Sequence, residues 1–82
     1  MDDPLLWRIL KCESGHRQFD KYGKPLISPT SDVGLMQINQ VHWTEAKKLG
    51  LDIFNSVDDN ITMGKLILKR QGYKAWTCYS LI

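Results

Sequence analysis

The sequence predicts one small, mainly α-helical domain with some α+β character. Three observations lead there. The chain has 82 residues, enough for one core and not for two. Three segments place apolar residues at helical spacing between cap and stop signals. Between the first and second of them, a Gly- and Pro-broken stretch loses that period and runs into "SDVGLMQIN", which fits neither ordinary helix nor ordinary strand.

"DDPLLWRILKCESG" is the first helix. Asp3 is the N-cap, Pro4 suits the first helical position, and Gly15 is the stop. Leu5, Leu6, Ile9, Leu10 and Cys12 follow helical spacing. Residues 16–33 form an irregular loop, with a short hairpin near Tyr22-Gly23. Asp20, Tyr22 and Gly23 faintly resemble a calcium loop, but the further ligands and the closing Glu are missing, so a turn is expected. "NQVHWTEAKKLG" is the second helix, capped by Asn39 and ended by Gly50. "SVDDNITMGKLILKRQG" is the third. Ser56 and Asp59 have capping-box spacing, and Val57, Ile61, Gly64 and Leu68 form its stripe, joined by Ile67. Gly64 on that side permits a close approach of another backbone. The aromatic tail "YKAWTCYSLI" is expected to fold back over the core.

The net charge of +2 is too small to argue for nucleic acid, and a helix-turn-helix reading fails because the third helix starts acidic. No apolar run is long enough to span a membrane, and no signal peptide is read. The ends look like those of an excised domain over residues 1–82, and a monomer is expected. Cys12 and Cys78 are too far apart for a CxxC pair. They are either two buried thiols or one disulfide between the ends of the domain; a chain this small favours the disulfide. His16 and His42 have no metal-ligand spacing with any neighbour, and neither a metal nor a cofactor is implied.

Glu13 is the residue that needs explaining. It lies at the C-terminal end of a helix, where the macrodipole is negative, and four residues after Ile9, on the apolar stripe. Both placements disfavour a charged carboxylate, which is what a general acid requires. The bland alternative is a boundary glutamate whose tip reaches water.

Three pieces then occur in order: Glu13-Ser14, Gly34-Leu35-Met36-Gln37-Ile38 and Asn60-Ile61. Together they resemble the lytic transglycosylase SLT family of the lysozyme-like superfamily, over roughly residues 5 to 72. The resemblance implies a lysozyme-like fold and cleavage of the β-1,4 bond between N-acetylmuramic acid and N-acetylglucosamine in peptidoglycan, outside the cytoplasm. It makes Glu13 the acid. It lets Gly34 bring the chain close to the sugar, gives Gln37 hydrogen bonds to the substrate, and gives Met36 an apolar contact along the groove. Ser14, Asn39 and Asn60 become supporting or substrate contacts.

The sequence departs from the family where a later Tyr-Asn-Ala-Gly motif is missing, and Tyr79 is the candidate to replace its tyrosine. Trp43 and Trp76 are candidates for stacking on sugars; Trp7 is expected to pack, and packing is the alternative for Trp76. Asp32 also stands one residue before Val33-Gly34, as an Asp does in chicken-type lysozymes. Two chemistries therefore remain. A transglycosylase would use Glu13 alone and close a 1,6-anhydro ring. A hydrolytic lysozyme would use Glu13 and Asp32 as a carboxylate pair. A glycan-binding module without catalysis is a third reading.

Overall fold

The computed structural model describes residues 2–82. Helix α1 spans Pro4–Ser14. Asp3 begins it by accepting the Leu6 N–H at 3.0 Å, Pro4 occupies the first turn, and Gly15 ends it in the left-handed region at φ 65°. Leu6, Ile9 and Leu10 are fully buried. Burial of one such side chain is worth about 1.5–3 kcal/mol, so this face pins α1 to the core. Cys12 points away from that face and is bonded to Cys78, with Cα atoms 6.0 Å apart. The helix thus has a narrower apolar stripe than its sequence spacing implies, and Cys12 belongs to a cross-link instead.

The loop after α1 contains the expected hairpin. Phe19 and Pro25 form an antiparallel bridge across a turn. Asp20 organises that turn, its Oδ1 accepting the N–H groups of Tyr22 and Lys24. This is an Asx turn and it uses the carboxylate that a calcium loop would need. Ile27 then bridges Val33. Strands β1 (Asp32–Val33) and β2 (Ile38–Asn39) pair antiparallel, with Asp32 opposite Asn39 and Val33 opposite Ile38. "SDVGLMQIN" is therefore a tight hairpin whose turn is Gly34 to Gln37, closed by the Gln37 N–H to the Gly34 carbonyl at 3.0 Å. Gly34 (φ 77°) and Gln37 (φ 49°) both take left-handed backbone there.

Asn39 caps the next turn by accepting the Val41 N–H. The second helical region opens as a 3-10 turn over Gln40–His42 and continues as α2 (Trp43–Lys48). Helix α3 spans Val57–Gln71 and starts on Ser56, whose Oγ accepts the Asp59 N–H at 3.1 Å. Only half of the capping box forms, because the Asp59 carboxylate turns to the Asp52 N–H at 2.8 Å. The buried face of α3 is Asn60, Met63, Gly64 and Ile67. Val57, expected on the stripe, is exposed, while Ile61 and Leu68 are half-buried. A polar Asn in the stripe shifts it by one position. Gly64 does face a close neighbour, but a side chain rather than a backbone: a Cβ there would lie 2.3 Å from Met36 Sδ.

Two 3-10 turns, Tyr73–Ala75 and Thr77–Leu81, carry the tail back against α1. The disulfide fixes that return. No helix among the described residues is long and apolar enough to cross a membrane.

Candidate functional site

The hairpin turn explains its own polar residues. Its backbone groups are buried and must find partners. Side chains from four other regions supply them. Gln18 Oε1 accepts the Leu35 N–H at 2.9 Å. Ser14 Oγ donates to the Leu35 carbonyl at 2.7 Å. Asn60 Oδ1 accepts the Met36 N–H at 2.8 Å, and Trp76 Nε1 donates to the Met36 carbonyl at 2.7 Å. Asn60 Nδ2 also donates to the carbonyls of Val33 and Ile53. Gln18 Nε2 donates to those of Ile53 and Phe54.

Ser14 and Asn60, expected as supporting or substrate contacts, take the supporting place in the interior. Asn60 is fully buried and spends its amide on three backbone groups. Ser14 is buried and ties the end of α1 to the turn. Met36 is fully buried against Gly64 and does not reach the groove surface. Gly34 is small for an internal reason, since a Cβ there would lie 2.3 Å from Asn60 Nδ2 and 2.6 Å from Gln18 Nε2. Trp76 is buried too, so it packs rather than stacks on a sugar.

This frame sets the position of Glu13. The acid is half-buried at the end of α1 and lines a cleft of about 460 Å³. Lys11, Gly15 and Arg17 near the end of α1, Leu26 to Pro29 of the loop, and Gln37 of the turn line it with Glu13. Glu13 Oε1 accepts the Cys78 N–H at 2.8 Å. Its Oε2 has no hydrogen-bond partner among the described residues. The tail thus holds the carboxylate through backbone, next to the disulfide. Tyr79, the expected replacement for a tyrosine partner, instead stacks on Tyr73 with ring centroids 5.7 Å apart. Gln37 is the cleft-lining member of the turn, with Nε2 bonded to the Gly34 carbonyl at 2.9 Å. Its side-chain oxygen has no partner among the described residues.

Asp32 sits in a different setting. It borders a smaller hollow of about 60 Å³ with Gln37, Asn39 and His42. Ser28 Oγ and Thr30 Oγ1 donate to its Oδ2, and Asn39 Nδ2 donates to Oδ1 at 2.8 Å. Burial pushes this carboxyl up, but the hydrogen bonds from Thr30, Asn39 and Ser28 together outweigh it and leave it below the ordinary carboxylate range. Asp32 is a charged carboxylate with most of its lone pairs occupied. Asn39 has two tasks, the cap of the 3-10 turn and the clamp on Asp32.

A third hollow, about 510 Å³, is lined by Trp43, Thr44 and Lys47 of α2 and by Gly50 to Phe54 after it. Its acid, Asp52, is occupied with the N–H groups of Phe54 and Asn55. Trp43 is edge-on to Phe54 and donates Nε1 to the Ile38 carbonyl. His16 stacks on Trp7 at 3.6 Å and donates to the Trp7 carbonyl, so Trp7 packs against a neighbour at the surface. Sequence spacing carries no mark of Gln18 or of the Cys78 N–H, since both act through partners distant in the chain.

A family model described as Transglycosylase SLT domain matches residues 1–77. Neither the curated proteins nor the solved structures compared with the chain give a match.

Proposed function

Because the chain belongs to the transglycosylase SLT domain family, we propose that it cleaves the β-1,4 bond between N-acetylmuramic acid and N-acetylglucosamine in peptidoglycan as a lytic transglycosylase. Glu13 is the general acid and then the base. The observation that carries the reading is the state of this carboxylate, which lines a cleft that Gln37 borders, with one oxygen held by the Cys78 N–H and the other without a partner among the described residues. A general acid needs a fixed carboxyl with an oxygen available for the reacting atom.

Glu13 gives its proton to the glycosidic oxygen as the bond to the anomeric carbon breaks. The carbonyl oxygen of the substrate's own N-acetyl group closes on that carbon and holds the positive charge. Glu13, now a carboxylate, takes the proton of the same sugar's 6-hydroxyl. That oxygen displaces the N-acetyl oxygen and leaves a 1,6-anhydro ring. No second carboxylate is required. Gln37 offers its free side-chain oxygen to a substrate N–H or hydroxyl. The action takes place outside the cytoplasm, where peptidoglycan lies.

A hydrolytic reading, with Asp32 opposite Glu13, draws on one observation: Asp32 is kept charged beside Gln37. Three donors already occupy most of its lone pairs, which suits a carboxylate that stabilises charge by its field better than one that attacks carbon. Mass spectrometry of muropeptides after digestion decides between the two. Anhydro-muramic ends are expected. Ends that have gained water, with none anhydro, would establish the hydrolytic route instead.

A further inference from the structure

The wall of the Glu13 cleft carries more charge than the chemistry of Glu13 requires. Lys11 and Arg17 both line it, and both are exposed. Among the described residues the one ion pair is Glu45 with Arg70, remote in sequence from this wall, so neither cation has an acidic partner. Among the described residues, Glu13 is the one acidic residue on the cleft lining. Arg17 is also held in place. Its Nε donates to the Ser14 carbonyl at 3.4 Å, and a Cβ on Gly15 would lie 3.5 Å from that nitrogen. This leaves the two terminal nitrogens of the guanidinium without partners among the described residues, in a fork suited to a carboxylate.

We propose that Lys11 and Arg17 read a carboxylate on the substrate, so that the cleft selects glycan strands whose muramic units carry an acidic arm over neutral β-1,4 glycans. This rests on the peptidoglycan reading above and adds the feature of the strand that is recognised. Cations at the end of α1 also complement the helix dipole. That role accounts for Lys11 in the last turn and for the Arg17 Nε on the Ser14 carbonyl, but it makes no use of the two terminal nitrogens of the Arg17 fork. An unpaired cation pair on a cleft wall attracts an anion to the groove and fixes which side of the sugar faces it.

Two sources of carboxylate exist on such strands. One is the peptide stem. The other is the lactyl group, which is a free acid only after the stem has been removed. The test uses Glu13→Gln protein, which binds without cutting, and compares it with the triple variant that adds Lys11→Gln and Arg17→Gln. Calorimetric titration uses three ligands: soluble strands with stems, strands stripped by an amidase, and a neutral N-acetylglucosamine oligomer. The added substitutions should weaken binding of a carboxylate-bearing strand by about three- to tenfold, within the range for two exposed ion pairs, and leave the neutral oligomer within about twofold. High salt should remove most of the difference. Loss confined to stem-bearing strands assigns the stem, and loss confined to stripped strands assigns the lactyl acid. Unchanged affinity for every strand, or an equal loss on the neutral oligomer, overturns the proposal and leaves the cleavage reading standing. Failure of the Glu13→Gln protein to bind any of the three overturns both.

Discussion

Glu13 and Asp32 are both partly buried carboxylates, and Gln37 borders both of their hollows. Their supports differ in kind. Asp32 takes three side-chain hydrogen bonds from residues no more than seven positions away. Glu13 takes one, from a backbone N–H 65 positions away. Local donors occupy most of the Asp32 lone pairs and make it a latch for its own hairpin. A single remote donor orients Glu13 and leaves the other oxygen open. Chemistry needs the second arrangement, since a carboxylate whose lone pairs are spent has nothing to offer a substrate.

The largest effect is expected at Glu13. Glu13→Gln keeps the volume and an oxygen for the Cys78 N–H, so the thermal midpoint should hold while peptidoglycan cleavage falls by about 10³-fold. A folded variant that still lyses cell walls would remove Glu13 from the mechanism. The next largest effect belongs to the disulfide. Cys12→Ser with Cys78→Ser should lower stability by about 4 kcal/mol, from a loop of 66 residues. Denaturant unfolding measures that loss. At temperatures where this variant remains folded, cleavage should fall too, while amide exchange around Asp32 stays as in the parent. Free-thiol titration of the unreduced, denatured parent should find none.

Asp32→Asn should show the smallest effect. Cleavage should drop by less than about tenfold, and stability at neutral pH by about 1 kcal/mol for weakened hydrogen bonds. The sign of the pH dependence comes from the direction of its shift. The folded value lies below the unfolded one, so the charged form stabilises the fold. That contribution is complete above about pH 4 and disappears as pH falls through the folded value. Melting curves of parent and variant should therefore differ at neutral pH and converge in acid. If Asp32→Asn is as inactive as Glu13→Gln and the parent's products carry added water, Asp32 is the second catalytic carboxylate.

The elements are legible in the sequence where their signals are local. Asp3, Pro4 and Gly15 bound α1, Asn39 caps the turn that opens the second helical region, and Ser56 starts α3, because a cap and its target are four residues apart or fewer. The inside of the site is not legible in the same way. The turn from Gly34 to Gln37 has no period, and its partners lie 17 and 24 positions away, at Gln18 and Asn60. Polar residues there look like substrate contacts until their partners are seen to be backbone. The α3 stripe is displaced for a related reason. An apolar template passes over Asn60, although that residue is the most deeply engaged polar group in the interior. Tyr79 suggests itself by its side chain, whereas the group that reaches Glu13 is the neighbouring main-chain N–H. Sequence identity carries no trace of that substitution, since every residue but proline has such a donor.

The hold of Cys78 on Glu13 also has a meaning in time. A ribosome releases α1 long before the segment that orients its carboxylate. Until residue 78 emerges and the thiols oxidise, Glu13 is an unsupported side chain at a helix end. Completion of the acid is thus tied to a contact of long sequence separation, the kind that forms late in folding. A nascent or reduced chain should lack an oriented acid, and activity should appear with the cross-link rather than with helix content.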